Sequence, residues 1–500
     1  MSDGILLAID QGTSSSRAMG FSLQGEIVAI EQQIFEQIYP APGWVEHDAE
    51  VIWATVLSTT RKLLAKLDDS RSQVAAIGIT NQRETTIVWD RRSGVPIFNA
   101  IVWQDRRTAD RCRELNQGGV ESEITHKTGL LLDPYFSSTK IAWILDRVPG
   151  AREAARAGHL AFGTVDTFLI WRLTGGRLHV TDATNASRTA LYDIRRGRWD
   201  EALCELFNVP MACLPEVRDT AGDFGMTDAT VLGRALPIRG VAGDQQAALV
   251  GQACFAAGDV KSTYGTGAFL VLNTASELVP SRNRLLSTIA YQLKGSVTYA
   301  LEGSILSAGA AIQWLRDGLG LISRAADVES LAASVTNAGG VYLVPAFTGL
   351  GAPYWDADAR GAILGLTRAA GRGEIARAAL DSVVYQTYDL LDAMAADGMR
   401  PASLKVDGGM AQNGLFMQRL ADIVGLTILR PRITESTAFG AACLAGLGSG
   451  IYGSLDDIAA LAHADANFEP TLARPERDAE IAGWRSALRR VRSHLHEVDT

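Results

Sequence analysis

Five hundred residues, 47% hydrophobic and 21% charged, form a globular chain too long for one core; about 150 residues per domain predicts two to three. The net charge of -9 excludes a nucleic-acid partner, because phosphate backbones select basic surfaces, while leaving a single nucleotide open as a ligand. Cys112, Cys204, Cys213, Cys254 and Cys443 are odd in number and form no CxxC pair, which excludes a disulfide framework or zinc site and suits a reducing compartment. No secretory pattern opens the chain, and no apolar run reaches the ~20 residues of a membrane span. The expected location is cytoplasmic.

Ile5 to Ile9 reads as a strand buried on both faces, ending at Asp10. Gly12 then permits a tight turn, and Thr13, Ser14, Ser15 and Ser16 line it with hydroxyls. Such a turn can donate hydrogen bonds to phosphate oxygens, with Asp10 holding magnesium through water. An ordinary polar turn has the same composition. Glu50 to Leu67 places Ile52, Trp53, Val56, Leu57, Leu63, Leu64 and Leu67 on one helical face, capped by Asp48. Val74 to Thr80 and Thr86 to Trp89 read as strands. This alternation predicts an α/β protein without flexible linkers, its domains closely packed.

Val260 to Leu272 again runs strand, Gly/Thr turn, strand, and echoes the opening pattern half a chain later. A duplicated architecture is predicted, with domains at 1–250 and 251–500, a boundary near Gly251 to Gly258, and a cleft between them.

The common nucleotide motifs, GxxxxGK[ST] and a GxGxxG after the first strand, are absent, as is HExxH. None of the seven histidines has a catalytic context, and ordinary surface positions are expected for all of them. Four segments are polar where a sheet protein needs no polarity: "LAIDQGTSSSR", Ile79 to Thr86 with its Arg83-Glu84 pair, Val241 to Ala248 with Asp244, and Leu404 to Asn413 with "DGG". Each has a plain structural alternative: a surface ion pair for Arg83-Glu84, a helix cap for Asp244, a turn for "DGG". Four strand ends together point to a ligand, because α/β folds bind ligands at the carboxyl ends of strands.

The chain resembles the FGGY carbohydrate kinases, end to end and in order. The resemblance is carried by "DQGTSSSR", "PGWVEHD", "GITNQRETTIVWD", "NAIVWQDRRT", "DPYFSSTKIAWILD", "GTVDTFLIWRLT", "AGDQQAAL", "YGTGAF", "LEGSILSAGAAIQWLRD", "PAFTGLGAPYWD" and "VDGGMAQN". It implies a two-domain actin-like ATPase (ribonuclease H-like) fold with the active site in the interdomain cleft, and transfer of phosphate from ATP to glycerol with Mg2+. By the same resemblance Arg83, Glu84, Tyr135, Asp244 and Gln245 contact glycerol, with Trp103 and Phe269 against its carbon chain. Asp244 is the implied general base. Asp10 and Asp244 are the implied metal residues.

Thr13, Ser14, Ser15, Arg17 and Thr266 are implied on the phosphates, and Gly309, Gln313, Gly409 and Asn413 on the ribose and adenine. The partners implied are the two small-molecule substrates and further copies of the chain, as a dimer or tetramer. A pentulose or gluconate kinase is the runner-up, and the Arg-Glu pair favours glycerol. A chaperone-like ATPase needs no polyol pocket, and the intact Asp10 and Asp244 argue against a silent sugar-sensing protein.

Overall fold

The structure is a computed structural model that describes residues 4–69 and 73–493. Two sheets organise it. The first runs β5–β4–β1–β2–β3, built from β1 (Gly4–Gln11), β2 (Ser15–Ser22), β3 (Ile27–Ile34), β4 (Gln73–Asn81) and β5 (Ile238–Gly243). β1 to β3 form an antiparallel meander, whereas β4 and β5 join parallel to β1. Ile5 to Ile9 are each at most 3% exposed, as expected of a central strand covered on both faces.

Helix α1 (Ala49–Asp69) lies on β2 and β3. Its start is fixed by the Asp48 carboxylate, which accepts the Glu50 backbone N–H at 2.8 Å. Ile52, Val56, Leu63, Leu64 and Leu67 are buried on one face, and Leu57 only half so. Each fully buried aliphatic side chain stabilises the contact by about 1.5–3 kcal/mol. That stripe is the reason a helix forms here.

The second sheet has seven strands in the order β8–β9–β7–β6–β10–β11–β12. They are β6 (Val260–Tyr264), β7 (Ala268–Ala275), β8 (Leu286–Leu293), β9 (Ser296–Ile305), β10 (Ser403–Asp407), β11 (Thr427–Pro431) and β12 (Ala464–Phe468). Its inner five repeat the first sheet: β9, β7 and β6 form the meander, and β10 and β11 join in parallel. The sequence echo between the openings of the two halves therefore corresponds to one topology used twice. The turns after β1 and β6 occupy equivalent places.

Helix α2 (Asp244–Gly251) leaves β5 at the cleft floor, α3 (Gly309–Asp317) follows β9, and α4 (Arg372–Ala396) packs against it. Helix α5 (Ser436–Gly448), late in the chain, crosses back onto β1, β4 and β5 and packs along α2. The approach is backbone to backbone. A Cβ on Gly440 would lie 1.8 Å from the Ala247 carbonyl oxygen, one on Gly251 2.1 Å from that of Ser436, and one on Gly78 2.0 Å from that of Ala441.

The expectation of surface histidines fails at two positions. His47 is fully buried against Phe35, and burial pulls its pKa down to about 4; His179 is half-buried beside Trp89, and burial likewise pulls it down to about 4. Both are neutral packing residues. His126, His159 and His463 are exposed, and His494 and His496 lie outside the described residues. All five cysteines are free and buried.

The α2–α5 crossing leaves no room for a methyl group, so Gly440→Ala is expected to destabilise the protein by about 3 kcal/mol. Urea unfolding of the variant beside the wild type measures this; an unchanged midpoint would mean that the helices separate freely.

Candidate active site

The acceptor side begins where β4 ends. Arg83 and Glu84 are 3% and 1% exposed, so the surface ion-pair alternative fails. Their own contact is a loose 3.9 Å. Arg83 instead donates through Nη1 and Nη2 to the Glu302 carboxylate at 2.5 and 2.9 Å, and its Nε lies 3.2 Å from Asp244 Oδ1. Glu84 takes a φ of 60°, unusual for a side chain of its size, in a γ-turn closed by the Thr85 N–H on the Arg83 carbonyl at 2.7 Å. Such strain persists only where the surroundings over-determine it. Here Thr86 and Ser137 hydroxyls donate to the Glu84 carbonyl at 3.1 and 3.0 Å, and Arg188 Nε donates to its Oε1 at 2.6 Å.

Over these charges stand three aromatic rings. Trp103 meets Tyr135 edge-on at 5.8 Å and Phe269 at 5.9 Å between centroids, and the Arg83 guanidinium lies 5.8 Å from the Phe269 centroid. Trp103 and Tyr135 also line a cleft of about 670 Å³ walled by residues 39–45 on one side and by Leu306, Leu350 and Trp355 on the other. A small polyol with CH edges and several hydroxyls matches these complementary surfaces.

Asp244 opens α2 and keeps 29% of its side-chain exposure toward the cleft. Burial on its other sides raises its pKa to about 6, against the lowering pull of Arg83 and with the help of Glu84. It is not the helix cap, since Gly243 occupies that position. Gln245 accepts a hydrogen bond from the buried ammonium of Lys261, which also donates to Thr263 Oγ1 at 2.9 Å. Burial lowers Lys261 to about 8, opposed by Asp407 and Asp244.

The other part of the site is the pair of equivalent turns. After β1, Gly12 N–H bonds the Ser15 carbonyl at 2.9 Å, leaving Thr13 and Ser14 at the tip. Thr13 Oγ1 accepts the Trp103 indole N–H at 2.9 Å, and Ser15 Oγ accepts from Gln32 at 3.0 Å. After β6, the turn at Gly265 to Gly267 supports α3, whose first N–H groups bond the Gly265 and Thr266 carbonyls at 2.9–3.0 Å. Arg17 sits opposite Asp10 in the β1–β2 register, donates to Asp10 Oδ2 at 2.6 Å, and pairs with Glu435, so its guanidinium is held beside the turn.

Asp10 is 3% exposed, and its charge acts on Asp244 across the cleft floor. No group of three or more potential metal-binding side chains occurs among the described residues. Two carboxylates without a protein cage suit Mg2+, which retains waters and takes phosphate oxygens as further ligands.

Gly309, Gln313, Gly409 and Asn413 come together. All four line one pocket of about 350 Å³ with Ile312, Ala326 and Val328. Gly409 has open space where a Cβ would be, which leaves the backbone accessible to a planar group. The Asn413 side-chain oxygen caps the helix Gly414–Val424 by accepting the Phe416 N–H at 2.8 Å, so it is held rigidly.

Sequence reasoning missed Arg188, Glu302 and Lys261. Glu302 lies in the quoted "LEGSILSAG", but a lone glutamate in a strand carries no sign of its partners. Lys261 had a legible signal, a lysine inside a strand that is otherwise covered.

The chain was compared with known families and proteins. The model of the N-terminal domain of the FGGY family of carbohydrate kinases matches residues 5–251, and that of the C-terminal domain residues 260–449. A glycerol kinase of Alteromonas mediterranea is 60% identical over 97% of this chain and 99% of its own, and one of Rhodospirillum centenum 57% over 98% of each. Among solved structures, the Plasmodium falciparum glycerol kinase with ADP superposes with a TM-score of 0.91 at 37% identity, covering 99% of both chains. The gluconate kinase of Lactobacillus acidophilus, at 21% identity and a TM-score of 0.86 over 98% of this chain and 97% of its own, shares the fold. This two-domain, actin-like chain belongs to the FGGY family of carbohydrate kinases.

Proposed function

We propose that the chain is an ATP:glycerol 3-phosphotransferase, converting glycerol and MgATP to glycerol 3-phosphate and ADP. The observation that carries this reading is the buried Arg83–Glu84 turn facing Asp244 beneath the Trp103–Tyr135–Phe269 rings. Arg83 can only donate and ionised Glu84 only accept, so together they read the two faces of a hydroxyl. An acceptor that lacks a hydroxyl leaves one of these buried groups unpaired, which is strongly rejected.

Asp244 acts as the base, orienting the attacking hydroxyl and taking its proton as the phosphoryl group transfers. In a loose transition state orientation contributes as much as proton removal. Asp10 and Asp244 would hold Mg2+, which would supply charge neutralisation at the phosphates. Thr13, Ser14, Ser15 and Arg17 on one side and Thr266 on the other donate to the phosphates, and Gly309, Gln313, Gly409 and Asn413 seat the nucleoside. The same reading takes 1–250 and 251–500 as the two domains, a homo-oligomer as the assembled form and the cytoplasm as its location. No helix among the described residues is long and apolar enough to cross a membrane.

An ADP-release assay with glycerol, erythritol, xylulose and no acceptor tests the reaction. Glycerol-dependent ADP is expected; a preference for the ketose, or ADP formed without any acceptor, would remove the substrate claim.

Asp244→Asn is nearly isosteric but accepts no proton, so kcat should fall ~10²-fold or more while glycerol affinity changes little. Because the raised carboxyl is protonated below a pH of about 6, wild-type turnover should decline as pH drops through that value. The variant's residual turnover should be flat there. Near-normal turnover in the variant would exclude Asp244 as the base.

Phosphate contacts from Thr13 and Thr266 come from opposite halves, so MgATP with glycerol should draw the halves together and exclude water. Small-angle scattering should show a smaller radius of gyration for the doubly liganded protein; equal radii would contradict closure.

A further inference from the structure

Behind the acceptor pocket four charged groups share one dry volume. Glu302, on β9 of the second sheet, is 0% exposed and accepts Arg83 Nη1 and Nη2 at 2.5 and 2.9 Å and Arg188 Nη2 at 3.0 Å. Arg188, also 0% exposed, sends Nε to Glu84 Oε1 at 2.6 Å, and its guanidinium lies 5.8 and 5.4 Å from the Tyr135 and Phe136 ring centroids. The two groups that read the acceptor thus each have a charged anchor, and both are tied to one carboxylate from the other half of the molecule, Arg83 directly and Glu84 through Arg188. Burial opposes ionisation of Glu302, yet Arg188 and Arg83 together hold its pKa down to about 2.

One detail separates this cluster from a purely stabilising one. Arg188 Nη1 is buried without a hydrogen-bond partner. An unsatisfied buried donor costs about 1–3 kcal/mol, and replacing buried ions by apolar groups of similar shape is often neutral or stabilising. The arrangement therefore costs stability, and what it delivers is orientation: Arg83 is turned away from a full bidentate grip on Asp244, and Glu84 is held in its strained turn.

We propose that Glu302 and Arg188 are positioning residues that lock Arg83 and Glu84 into the acceptor-reading orientation, so that the acceptor site is complete only when the second half supplies Glu302. This rests on the glycerol reading above and adds to it residues that touch neither substrate.

The test separates acceptor binding from nucleotide binding in the full-length protein. Calorimetric titration with glycerol and, separately, with MgADP is performed on wild type, Glu302→Gln and Glu302→Asp, with melting temperature recorded for each. Glu302→Gln keeps the length but loses the charge that draws two guanidinium groups, so its glycerol Kd should rise about 10- to 100-fold. Its MgADP Kd should stay within about twofold, because the nucleotide pocket lies elsewhere. Glu302→Asp, which retains the charge, should recover part of the glycerol affinity. In steady state the effect should appear in glycerol KM more than in kcat.

A role confined to stability would lower the melting temperature and weaken both ligands in parallel, or neither, and either result overturns the proposal. Should Glu302→Gln fail to fold, Arg188→Lys carries the same titrations, since lysine keeps the charge but cannot fork onto Glu84 and Glu302 together. Wild type that binds glycerol beside variants that bind it equally well overturns only this proposal. Wild type that does not bind glycerol overturns the functional reading and this proposal with it.

Discussion

The site depends on charges kept in a dry place. Arg83, Arg188, Glu84 and Glu302 are all at most 3% exposed, and an unpaired ion there would be costly. Their sum is zero, two positive and two negative, and that balance lets the group remain ionised under the cleft floor. Asp244 lies just outside this balance. It keeps access to the cleft and only one edge of Arg83, and its proton affinity is raised rather than suppressed. A charge-balanced quartet behind and a carboxylate of raised proton affinity in front thus divide the buried charge of the site.

The frame that presents these groups is one topology used twice and joined by the α2–α5 crossing. Because the strand orders match, the two glycine-containing turns follow corresponding strands of the two sheets, one after β1 and one after β6. The glycine contacts at α2–α5 hold the two halves backbone to backbone.

Much of this was legible in the residues. The apolar run Ile5 to Ile9, the stripe on α1 with its Asp48 cap, and the strand-turn-strand echo at Val260 all follow local periodicity and turn chemistry, and the structure contains each. The strand-end segments were visible because polarity at the carboxyl end of a covered strand has few structural uses. What stayed hidden was pairing across long separations. Arg83 and Glu302 are 219 residues apart, and Arg188 and Glu84 104 apart, so no window of sequence brings them together. His47 was misread for a related reason: its neighbours are polar in sequence, while the ring that covers it, Phe35, comes from another segment.

The indole of Trp103 has a further consequence. Its ring forms a wall of the acceptor pocket, while its N–H is bonded to the hydroxyl at the tip of the first phosphate-type turn. The ring packs edge-on against Tyr135 and Phe269 while its edge is tied to Thr13. A single indole thus mechanically couples the aromatic wall to the tip of the first turn, so neither can shift without the other.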